Sequence, residues 1–126
     1  MKRMIAVAFT VFILALTACS GETGGATIQG RVEIFTEDTS VLSQVITTSK
    51  TTAEDVLVEA CQSVKIPYTL DNHMFDNFGG IASGKTDGWI LYVNGEVAQT
   101  GAYQVNLEDD FLLEFKYVNY DMVFGQ

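Results

Sequence analysis

The segment Asp87 to Glu96, DGWILYVNGE, restricts the fold more than any other stretch of this chain. Trp89, Leu91 and Val93 alternate with Ile90 and Tyr92, so a strand formed here is apolar on both faces and belongs inside a sheet rather than at its margin. Asn94-Gly95 then supplies two residues that tolerate positive φ, the requirement of a type I′ hairpin turn, and Glu96-Val97 begins the return. Trp89 and Tyr92 point to opposite faces of such a strand, so both cannot enter one core. Trp89 fits a core anchor beneath a helix, and Tyr92 is the freer of the two rings.

The flanking sequence provides partners for this strand. From Thr27, Ile28, Val32 and Ile34 alternate with Gln29, Arg31 and Glu33; Glu37 to Ser40 reads as a turn, and Val41 to Thr47 is a second β-branched run, which together predict an antiparallel hairpin. Tyr103 to Leu107 and Phe111 to Val118 read as further extended runs, with Phe111, Leu113, Phe115 and Tyr117 on one face. Between them lies one helix. Thr51 with Glu54, or Thr52 with Asp55, has the spacing of a capping box, and Val56, Leu57, Ala60, Cys61 and Val64 form a single apolar stripe that Pro67 ends. Two opening strands, a packed helix and a mixed sheet predict an α+β fold of β-grasp-like type.

Tyr68 to Gly84, YTLDNHMFDNFGGIASG, shows no sustained period and reads as a long excursion of the kind that often binds ligands. It holds His73, the sole histidine, which reads as a surface side chain because one imidazole does not make a metal site. Cys61, on the helical stripe, reads as a small buried hydrophobe.

Residues 1–18 have the build of a secretory signal peptide: Lys2 and Arg3 precede an apolar run from Met4 to Leu16 that is too short to span a membrane. Leu16-Thr17-Ala18-Cys19 resembles the lipobox of bacterial lipoproteins, which implies acylation at Cys19 and a lipid-anchored protein on the extracytoplasmic face of a cell membrane. Residues 19–26 then read as a flexible tether and residues 27–126 as one domain. Loss of residues 1–18 removes two of the seven basic side chains and none of the sixteen acidic ones, leaving a formal charge of 5 − 16 = −11. Such a surface excludes nucleic acid as a partner, because phosphate is bound through Lys and Arg.

In order along the chain, TTAEDVL (51–57), FGGIASG (78–84), GWILYVNG (88–95) and FLLEFKY (111–117) resemble the transcobalamin-like C-terminal domain, over roughly Thr27 to Val118. Glu108-Asp109-Asp110 departs from that family's usual Asp-Gly-Asp turn. The resemblance implies a ligand surface built from Phe78, Gly79, Gly80 and Ser83 of one segment and Trp89 and Tyr92 of the strand, with cobalamin or a related corrinoid as ligand. It also implies a partner, either an uptake transporter or a second binding domain. No zinc set, nucleophile elbow or histidine beside a nucleophile is present in the sequence, so a non-catalytic binding module is expected. The alternative is a cell-envelope module that binds protein or glycan and takes no small molecule.

Overall fold

The computed structural model describes residues 26–125. Its main layer is a five-stranded mixed sheet of β1 (Ile28–Phe35), β2 (Ser40–Thr48), β6 (Asp87–Val93), β7 (Glu96–Val97) and β8 (Phe111–Asn119), in the order β2-β1-β8-β6-β7. The expected hairpin forms: Arg31 pairs with Val45 and Gly30 with Ile46, and Thr36 closes the turn by accepting from the backbone N–H of Asp38 and Thr39. β1 and β8 run parallel at the centre, and β6 pairs antiparallel with β8.

One face of this sheet is covered by two bodies. The first is α1 (Ala53–Ser63), capped by Thr52, whose hydroxyl accepts from Asp55 N–H. A second early donor is satisfied from outside the helix: Ala53 N–H donates to the Val105 carbonyl at 2.9 Å. Val56, Leu57, Ala60 and Cys61 are buried and share one core cluster with Val32, Ile34, Phe111 and Leu113 of the sheet.

The second body corrects the expectation of an irregular excursion. Residues 68–84 contain a separate three-stranded antiparallel sheet of β3 (Tyr68–Asp71), β4 (Met74–Phe78) and β5 (Ile81–Ala82). Its tight turns place Asn72 and His73 at φ 53° and 67°, and Gly79 and Gly80 at 64° and 89°. The second turn uses glycine, as such geometry favours; the first uses Asn-His, which carries no strong turn signal.

Three further expectations are corrected. The helix stops at Ser63, before Pro67, because Lys65 turns left-handed and the N–H groups of Lys65 and Ile66 close back onto the carbonyls of Gln62 and Cys61. Val64, expected on the buried stripe, lies at this cap and is exposed. The run 103–107 is not a strand: Ala102–Gln104 makes one 3-10 turn, and Asn106 then forms an isolated bridge with Thr52, so this segment secures the start of α1. A short second helix, α2 (Tyr120–Phe124), follows β8 directly.

Candidate functional site

Where the three-stranded sheet lies over β6, an aromatic cluster forms. Phe78 is fully enclosed, with Phe75 stacked on it at 5.2 Å between ring centroids and Trp89 meeting it edge-on at 5.2 Å. Phe115 packs against both phenylalanines, and Tyr117 against Trp89. Rings in tilted or edge-on contact of this kind hold one another in place as well as burying apolar area.

The polar tips of three rings anchor the segment that follows. Trp89 Nε1–H donates to the Ile81 carbonyl (2.8 Å), Tyr117 O–H to the Ala82 carbonyl (3.0 Å) and Tyr120 O–H to the Gly84 carbonyl (3.1 Å). Ser83 Oγ accepts from Trp89 N–H at 3.1 Å. The segment is therefore held rigidly against the sheet instead of ranging over the surface.

Beyond these anchors the edge of β6 is open. β7 pairs only with Tyr92 and Val93, and the next contact down the strand is Ala98 N–H donating to the Leu91 carbonyl. The Trp89 carbonyl and Leu91 N–H thus have no strand beside them. A groove runs along this edge as two adjoining hollows of about 440 Å³ each, both lined by Met74, Phe75, Trp89 and Ile90. The loop 97–102 walls one end, and Asp71, Asp76, Ser83 and Tyr120 the other. Met74 stands at the rim, 68% exposed. An apolar floor with a few backbone and carboxylate groups at its margin suits a largely apolar ligand that needs limited polar fixing.

A larger hollow of about 820 Å³ lies elsewhere, between the β1–β2 turn and α2, with Phe35, Glu37, Asp38, Tyr117 and Met122 among its walls. It lacks the clustered aromatic floor, and one of its walls is the five-residue helix α2, whose Met122 is 85% exposed. The β6-edge groove is the better-formed candidate.

The residues expected at a ligand surface occupy four different settings. Trp89 and Ser83 line the groove. Phe78 lies beneath it with no exposed surface. Gly79 and Gly80 form an exposed turn, where Gly80 N–H donates to Asn77 Oδ1. Tyr92 is on the opposite sheet face, where Lys116 Nζ sits 4.2 Å from its ring centroid. Met74, Phe75, Ile90 and Tyr120, which the sequence reading did not single out, complete the lining. MFDNF carries its apolar residues at 74, 75 and 78, a spacing without the alternation of a strand, so the sequence held no strand signal for them. Cys19 lies outside the described residues.

His73 is exposed, stacks on Tyr103 at 4.2 Å between centroids, and places Nδ1 3.0 Å from Glu54 Oε1. Among the described residues no group of three or more His, Cys, Asp or Glu side chains could hold a metal ion. Cys61 is fully buried, and burial pushes its thiol up to about 11. No helix among the described residues is long and apolar enough to cross a membrane.

The fold is similar to part of haptocorrin in a crystal structure in complex with Cbi, with a TM-score of 0.67 and 14% identity over 75% of this chain; the match spans 25% of the haptocorrin chain. It is also similar to a candidate metal-binding protein from Ruminococcus gnavus ATCC 29149, with a TM-score of 0.54 and 15% identity over 73% of this chain and 97% of that one. No curated protein matches the chain. Residues 50–119, more than half of the sequence, match one family throughout, and the chain belongs to it: Domain of unknown function (DUF4430).

Proposed function

We propose that this protein is a lipid-anchored, extracytoplasmic and non-catalytic binding module whose β6-edge groove takes a small apolar or flat-ring ligand. The single observation that carries the reading is the open edge of β6 above the Met74, Phe75, Trp89 and Ile90 floor. The likeness to haptocorrin in complex with Cbi supports a corrinoid as the ligand to test first. The parallel β1–β8 pair at the centre of the sheet supports the β-grasp-like reading of the fold. The leader and Cys19 lipobox in the sequence support the anchor.

Binding by the groove alone is weak. Trp89 is only 6% exposed, so a ring ligand meets an edge of the indole rather than its face. A few aromatic contacts at about 0.5–1.5 kcal/mol each do not offset an association cost of about 4–15 kcal/mol. A second body, such as a transporter or another binding domain, completes the site. The match to only a quarter of haptocorrin agrees with a partial site. The test is titration of the protein with cobinamide and with cobalamin, read by emission of its single tryptophan and by calorimetry. A saturable change with a dissociation constant above about 10 µM is expected. Absence of any saturable signal or heat at millimolar ligand overturns the corrinoid reading.

A second reading rests on a different observation. Met74, Tyr103, Met122 and Phe124 are all exposed, and a protein partner of the cell envelope would cover such side chains.

A further inference from the structure

β2 is the outer strand of the five-stranded sheet and pairs on one side only, with β1. Its nine residues, SVLSQVITT, include no charge and no proline, in a chain with sixteen acidic and seven basic side chains. Open edges are ordinarily blunted by Lys, Pro or a bulge. Here the bulge falls at the Ile34/Phe35 end, and the register from Leu42 to Thr48 is unbroken.

Gln44 lies at the midpoint of that strand, on the same face as Leu42 and Ile46. Its Oε1 is buried without a hydrogen bond, and among the described residues it is the only such side-chain atom. A buried amide oxygen left without a donor is costly, which marks this position as incomplete in the isolated chain.

We propose that β2 is a self-association edge, along which two copies of this chain pair antiparallel about a twofold axis through Gln44. In that register Gln44 meets Gln44, Leu42 meets Ile46 and Ser43 meets Val45. With the part-buried Gln44 side chain turned toward the edge, each amide donates to the other copy's Oε1, so the unpaired acceptor gains its donor. A second copy fits better than a foreign strand because β2 reads alike in both directions from Gln44: branched aliphatic residues two positions away on one face, small or β-branched ones beside it on the other. The neutral strand is also where two acidic chains approach with least repulsion. The two five-stranded sheets then become continuous.

The test uses the full chain in detergent. Gln44→Cys should give a disulfide-linked dimer under mild oxidation, since the two cysteines face each other directly across the axis. Ser40→Cys should remain at the wild-type background, because the two copies of residue 40 fall at opposite ends of the paired strands. In parallel, Val45→Glu changes a side chain that is 54% exposed, so the fold is retained while two carboxylates are brought together near the axis. Sedimentation equilibrium should show its dimer dissociation constant raised about tenfold or more over wild type. The proposal is overturned if Gln44→Cys cross-links no more than Ser40→Cys, or if the wild-type chain sediments as a monomer at about 0.1 mM.

Discussion

The indole Nε1–H of Trp89 donates to the Ile81 carbonyl oxygen across 2.8 Å, tying the principal sheet to β5 of the smaller one. Because Trp89 is almost enclosed, loss of its N–H leaves the Ile81 oxygen without its partner. Trp89→Phe should therefore lower stability by about 1–3 kcal/mol from the hydrogen bond, with a further contribution from lost packing against Phe78 and Tyr117. Chemical denaturation checks this, and a change below about 0.5 kcal/mol would mean that the bond contributes little.

Gly30 pairs with Phe111 across the parallel strands, and a Cβ there would lie 2.4 Å from the Phe111 ring. Phe111 is buried and has little room to retreat. Gly30→Ala should cost about 1–3 kcal/mol by overpacking. Gly88 is a comparable close approach, with an added Cβ 2.0 Å from the Tyr120 hydroxyl oxygen. The cost of Gly88→Ala should shrink when Tyr120→Phe is combined with it, and a double-mutant cycle measures that coupling.

Lys65 closes α1 at φ 61°, in the conformation that glycine adopts without a side-chain penalty. Lys65→Gly should stabilise the protein by up to about 1 kcal/mol, less the greater freedom glycine has in the unfolded chain. Thermal unfolding decides the sign, and a fall in midpoint would show that the unfolded-chain term dominates.

Burial raises the Cys61 thiol from 9.0 to about 11 in the folded state. Below pH 9 the thiol is neutral in both states and its favourable burial is fully retained. From pH 9 to about 11 the unfolded chain loses the proton more readily than the folded one, so stability falls across that window. Cys61→Ala should flatten the dependence, as read by denaturation midpoints at pH 8, 9.5 and 10.5. Native protein should also resist alkylation at Cys61 until unfolded.

Met74 stands at the rim of the groove with most of its surface in water, so Met74→Glu should leave the unfolding midpoint within about 0.5 kcal/mol of wild type. A carboxylate at an apolar rim should weaken a ring ligand about tenfold. Equal binding by both proteins would move the ligand site away from β4.

Much of this arrangement was legible in residue order. Alternation in β1, the shared face of Phe111, Leu113, Phe115 and Tyr117 in β8, the Thr52 cap and the Asn94-Gly95 turn are local rules, and each forms as expected, with φ 51° and 91° at the turn. The second sheet was not legible. Its strands are of two to five residues, too short to display a period, and its first turn depends on Asn72 and His73 adopting left-handed backbone.

The candidate site divides along the same line. Sequence by itself determined that Trp89 and Tyr92 face opposite ways, because successive strand residues alternate, and that Phe111, Leu113, Phe115 and Tyr117 share a face. Only the tertiary structure decided which face would be covered: β4 and β5 lie over Trp89, enclose Phe78 and leave Tyr92 beside Lys116 on the other side. A strand's own pattern sets which side chains travel together, whereas the layer that meets them comes from residues distant in the chain, through packing and hydrogen bonds such as Trp89 to Ile81.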